Sequence, residues 1–188
     1  TRAYRENRLG EMLPLLEHLQ QQPDLSPELM ARLLIFSARS RLRLGSPDRA
    51  EADLSRARSL APDLWLVEVA QGDQERRSNN PSKALDIYQT ILKRPLEMRH
   101  LEAAAGAHIG LALLAEDRGD WGEATTHFEE AIKLLGAGER LVMRLESLAP
   151  DESGSLYLSA AYALEKINDE ESLRAVNEAI RLGVRGAV

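Results

Sequence analysis

Three segments of this 188-residue chain carry one pattern: a small residue, a larger residue four positions on, and a small or apolar residue three beyond that. They are Ala50, Leu54 and Ala57; Ala84, Tyr88 and Ile91; and Ala124, Phe128 and Ala131. Positions i, i+4 and i+7 share one face of an α-helix, whereas on a strand the last of them would turn to the opposite side. The small residues let another helix come close, and the larger one fills the space between. The first two sets lie 34 residues apart and the next two 40. Recurrence at that length describes a helix–turn–helix unit used repeatedly. Met12, Leu16 and Leu19 keep the spacing upstream, and Ser172, Val176 and Ala179 keep it downstream, with altered sizes.

The punctuation between these segments agrees. Ser26-Pro27, Ser46-Pro47 and Asn80-Pro81 each join a capping residue to a proline at a first helical position. Asp63, Asp120 and Asp169 mark further starts, and Glu123, three residues after Asp120, completes a capping box. Gly136 reads as a helix stop. The expected helices are 11–22, 27–44, 47–60, 63–77, 81–94, 96–118, 121–135, 139–148, 154–167 and 170–182, with 3–9 the remnant of another. No segment alternates with period two over a useful length, and aromatic residues are only 4% of the chain. The class is therefore all-α, without strands.

The segment from Gly119 to Ile132, a tight turn followed by a small–aromatic–small helix, resembles the second helix of a tetratricopeptide repeat (TPR). The resemblance covers residues 11–182. It implies a right-handed superhelical solenoid of about five units in a single domain, at 1–24, 27–62, 63–95, 96–138 and 154–183, with an extra helix at 139–148. No unit has tryptophan at the family's first signature position, although Gly72 stands where the family prefers glycine. The uneven repeat lengths are similar to those of bacterial regulators and export scaffolds. Of the basic residues 20 are arginine and 4 lysine, a weak compositional hint of a GC-rich genome and not of function.

The implied function is non-enzymatic: a scaffold that holds a protein or peptide segment in a concave groove lined by the first helix of each unit. Aligned on the triplets, the groove positions are Arg32, Ile35, Arg39, Leu42 and Arg43, then Leu66, Val69, Asp73, Arg76 and Arg77, then Gly106, Ile109, Leu113, Glu116 and Asp117. A fifth set is Gly154, Tyr157, Ala161, Leu164 and Glu165. The candidate partner-binding residues are Arg32, Arg39, Arg43, Leu66, Val69, Arg76, Arg77, Ile109 and Leu113. Arginines at 32, 39 and 43 form one stripe, read either as solvated side chains paired with nearby acids or as an anion-selecting patch for an acidic partner segment. The carboxylate clamp of chaperone-binding TPRs is absent, because its asparagine position holds Arg39, Asp73 and Leu113. The alternative is a sensor or regulatory domain of a larger bacterial protein, or a periplasmic export scaffold.

Other chemistry finds little footing. Net charge is −6, running from +2 over residues 1–60 to −3 over 61–122 and −5 over 123–188, which argues against nucleic acid as a partner. There is no cysteine, hence no disulfide. That fits a cytoplasmic protein and leaves the periplasm open. The run Ala103–Ala115 is too short to span a bilayer, so no membrane insertion is expected. A start at Thr1 suggests a fragment of a longer protein. The histidines, His18, His100, His108 and His127, include no i, i+4 pair of the zinc-binding kind. No metal, cofactor or catalytic residue is expected. Gly106 and Gly110 mark either close helix packing or room for a ligand. Trp121 is expected in the core, Trp65 in the core or at an exposed contact, and Ala124 against the preceding helix with Thr125 pointing outward.

Overall fold

A computed structural model describes residues 2–136 and 153–166, with single positions at 170, 173, 174, 176 and 177. Among these residues the chain is α-helical and contains no strand. The helices are α1 (Arg2–Leu19), α2 (Pro27–Arg43), α3 (Pro47–Leu60), α4 (Leu66–Arg77), α5 (Pro81–Leu92), α6 (Leu101–Asp117), α7 (Trp121–Leu135) and α8 (Ser153–Lys166). The expected helix at 139–148 lies outside the described residues, as does most of the one at 170–182. Two compact units divide the chain, Thr1–Ile87 and Tyr88–Val188, the division falling inside α5.

Three turns are built alike. After α2, the N–H of Gly45 donates to Leu42 O at 3.2 Å and that of Ser46 to Arg41 O at 2.9 Å. After α4, Asn79 donates to Arg76 O at 3.2 Å and Asn80 to Glu75 O at 2.9 Å. After α6, Gly119 donates to Glu116 O at 2.8 Å and Asp120 to Ala115 O at 2.9 Å. These paired bonds are the Schellman closure of a helix, which needs a left-handed residue at its first position. Gly45, Asn79 and Gly119 supply it, with φ of 74°, 62° and 77°. Five residues after each comes a triplet, and all nine triplet side chains are at most 1% exposed. One local device thus opens α3, α5 and α7 and sets the same face of each inward.

In the first unit α2 is central and packs on α1, α3 and α4. Its core comes from Ala31, Leu34, Ile35 and Ala38 with Ala50, Leu54 and Ala57 of α3 and Leu66, Val67, Val69 and Ala70 of α4. In the second unit α6 and α7 make the most extensive helix pair, and α8 packs on α7. Gly110 shows why α6 needs a residue without a side chain. A Cβ there would lie 2.6 Å from both Cε atoms of Tyr88 and closer still to its Cζ. The ring of Tyr88, itself fully buried, fills the space at Gly110, so the room left there belongs to packing and not to a ligand.

Several boundaries differ from expectation for local reasons. Residues 2–19 form one helix with Pro14 inside it, not a remnant followed by a helix at 11–22. The start expected at Asp63 moves to Leu66, because the Leu64 amide donates to Ala61 O and closes a turn over Pro62-Asp63. Glu97 is extended and a short 3-10 turn, Met98–His100, precedes α6, which shortens the expected helix 96–118. Ser26 caps α2, its Oγ accepting from the Leu29 amide at 3.2 Å, but Ser46 makes no side-chain cap. The Asn80 side chain instead donates to Glu75 Oε2 at 2.9 Å. Asp120 caps α7, accepting from the Glu123 amide at 3.0 Å, while the Glu123 carboxylate pairs with Arg118 at 2.6 Å.

Two side-chain expectations are corrected. Trp121 is 63% exposed, because the first residue of α7 precedes the face that Ala124 and Phe128 turn inward. Thr125 is buried at 8%, its hydroxyl donating to Trp121 O at 2.7 Å, so the polar atom is satisfied within the helix and the methyl packs inward. Trp65, just before α4, is partly buried.

Candidate functional site

The arginine stripe of α2 resolves into members with different surroundings. Arg39 is buried, 5% exposed, and its Nη2 donates to Asp73 Oδ2 of α4 at 3.0 Å. Both residues were expected to line a groove; they meet each other. They are 34 residues apart, on the first helices of two successive helix pairs. Arg32 is partly exposed and pairs along its own helix with Glu28 at 3.2 Å. Arg43 and Arg76 are partly buried, and Arg77 is exposed.

Arg41 was not singled out in the sequence, yet it ties three helices. Its Nη1 lies 2.5 Å from Asp53 Oδ2 of α3, and its Nη2 lies 2.9 Å from Glu17 Oε1 of α1. Two nitrogens of one planar guanidinium thus serve two carboxylates on different elements, which a lysine could not do in fixed geometry. Asp53 is buried and lies three residues after Ala50 and four before Ala57, on the inward face of α3. At the end of α4, Glu75 takes hydrogen bonds from Lys83 and Asn80. The bond from Lys83 is the main cause that holds its carboxyl below the ordinary glutamate range.

The apolar candidates have a different fate. Leu66 and Val69 in the first unit, and Ile109 and Leu113 in the second, are all buried core residues. They contribute to helix packing and do not present a surface to solvent in this structure. Ile35 is likewise buried, Leu42 is partly so, and the side chain of Tyr157 lies outside the described residues. Of the candidate partner-binding residues in the first unit, Arg77 is exposed and Arg32, Arg43 and Arg76 are partly so.

The second unit holds a feature that the search along single helices missed. His108 of α6 and His127 of α7 place their Nδ1 atoms 3.0 Å apart, with ring centroids 5.3 Å apart and planes tilted by 44°. His108 precedes Gly119 by 11 residues and His127 follows it by 8. Folding α7 back along α6 at that turn would have suggested their meeting. Burial, with His127 nearby, pushes the His108 pKa down to about 4, against a weaker pull from Glu130. Burial also lowers that of His127, opposed by Glu123 and Glu130. Glu123 Oε1 lies 3.9 Å from His127 Nε2.

Among the described residues no group of three or more histidine, aspartate and glutamate side chains could hold a metal ion. Among them, too, no helix is long and apolar enough to cross a membrane. Compared with protein-family models, curated proteins and solved structures, the chain matches none.

Proposed function

We propose that the chain is a TPR-like scaffold, a right-handed superhelical stack of about five helix pairs that binds a protein or peptide segment and catalyses no reaction. The recurring Schellman turn carries this reading. It appears at Gly45, Asn79 and Gly119, each followed at the same offset by a buried triplet. Repeated units of this kind bury their faces against the next unit and leave a long surface for a partner. The Arg39–Asp73 pair supports it further, since stacking brings equivalent positions of successive units together. The partner we infer is an acidic segment. The candidates that reach solvent, Arg77 and in part Arg32, Arg43 and Arg76, are arginines, whose planar forks suit carboxylates, and Arg32 also pairs with Glu28 on its own helix.

Two measurements test this. A compact chain of this length has a radius of gyration of about 16 Å, whereas a superhelical stack is more extended. A small-angle scattering value near 16 Å retires the stack. For the partner, cross-linked capture is compared between the native chain and an Arg76→Glu, Arg77→Glu variant at low and moderate salt. A bound protein whose capture falls with both charge reversal and salt fits an acidic segment. Capture indifferent to both removes the basic face from the binding surface.

A further inference from the structure

The histidine contact between α6 and α7 can hold only a limited charge. At 3.0 Å, one Nδ1 must donate and the other accept. When both rings are neutral, one of them carries its proton on Nδ1 and makes that bond. A single added proton fits on His127. Its Nδ1–H then donates to His108, and its Nε2–H points toward the side where Glu123 stands at 3.9 Å. His108 is then held with its own proton on Nε2 and its Nδ1 lone pair in the bond. A second proton can enter only at that lone pair. Two N–H groups would then face each other across 3.0 Å, each on a cation, in the part-buried seam between the two helices.

We propose that the His108–His127 pair is an acid-operated latch on the α6–α7 hairpin, closed by the shared hydrogen bond and forced open by the second proton. The charged neighbours set which ring takes the first proton. On α7, Glu123 and Glu130 favour a cation at His127, with Glu130 in turn bonded by Lys133 at 2.6 Å. Arg118, at the turn between the helices, opposes it. Glu130 reaches His108 as well, but burial of that ring outweighs it. Farther along α6 stand Glu102, Glu116 and Asp117, and His100 on the 3-10 turn is about 12 Å along the axis from His108. From α8, Lys166 is committed to Glu129 at 2.7 Å.

The direction follows from the rings' preference for the neutral form when folded. Opened rings take protons first as pH falls below about 6.5, the ordinary histidine range. The latch is therefore intact above that pH and progressively lost below it, because the closed hairpin keeps the His108 pKa down at about 4 while the opened ring is free to take its proton. Amide hydrogen exchange of α6 and α7, corrected for the intrinsic pH dependence, should speed by on the order of tenfold between pH 7 and 4.5. In His108→Gln, which cannot take the second proton, the acceleration should largely vanish. Proton NMR of the intact chain gives an independent reading. The His108 ring should titrate well below His127, and both below free histidine. Ordinary titration of both rings overturns the latch, as does acid acceleration of equal size in His108→Gln. The NMR titration decides the matter even if that variant fails to fold.

Discussion

Gly110→Ala asks two physical effects to compete, and they predict opposite signs. Alanine in a helix interior is better than glycine by about 1 kcal/mol, so propensity alone would stabilise α6. Against this, the new Cβ would sit 2.6 Å from the Cε atoms of Tyr88, when ordinary contact begins at 3.4 Å. The ring has to retreat by about 1 Å to restore ordinary contact. Tyr88 is fully buried, with no solvent to move into. It must leave its rotamer or push its helix away from α6. Overpacking of this kind costs typically 1–3 kcal/mol, and contact this close belongs at the upper end. The net effect should be a loss of about 2 kcal/mol once the propensity gain is offset. Urea unfolding measures it as a lower midpoint. A Tyr88→Leu background removes the ring, and there the same substitution should be neutral or stabilising. The cycle of four proteins isolates the clash from the propensity. A rise in the midpoint for Gly110→Ala with Tyr88 intact would show that the ring does not rest on the α6 backbone, and the reasoning would fail.

Further outcomes follow from the same structure. Asp73→Asn removes the carboxylate charge bonded to the buried Arg39 and should cost about 2–4 kcal/mol in urea unfolding, whereas Arg39→Met with Asp73→Leu should cost much less. Equal losses in both would mean that the guanidinium stem, not the ion pair, holds α2 to α4. Asp120→Ala removes the cap of α7 and should cost about 1 kcal/mol, read as a lower thermal midpoint; Asp120→Asn should recover most of it. Trp121→Ala should change stability by less than about 0.5 kcal/mol, since that ring is largely in solvent. The blue-shifted fluorescence of a buried tryptophan at that position would contradict its placement.

The helical class and the buried triplets were legible because they rest on local periodicity. Ala50, Ala84 and Ala124 can be read from spacing alone, and each is fully buried. Gly136 ends α7 for an equally local reason, its φ of 76°. The candidate site was legible only in part. Arg39 and Asp73 were both chosen as groove positions, yet one-helix geometry gives no sign that they face each other across two helices. Arg41 escaped attention because its carboxylate partners lie 12 and 24 residues away on other elements. The histidine pair was missed for the same reason: a search for i, i+4 partners looks along a helix, and His108 finds its partner across a turn. Thr125 shows the limit from the other side. A hydroxyl that bonds back to its own helix lets a polar residue sit inside, which hydropathy alone assigns to the surface.

The Arg39–Asp73 link also bears on how freely pieces of this protein could be exchanged. A helix pair whose contacts were all apolar could be excised, duplicated or grafted onto a foreign neighbour with only steric consequences. The pair α2–α3 carries a guanidinium at its seam that is nearly sealed from water. Its counter-charge belongs to the helix that comes after. Transplanted beside a neighbour without a carboxylate at the matching depth, it would lose this ion pair inside the new junction. The natural unit of exchange is therefore α2 through α4, one helix longer than the helix pair, and recombination that cuts between α3 and α4 would need to carry residues 39 and 73 together.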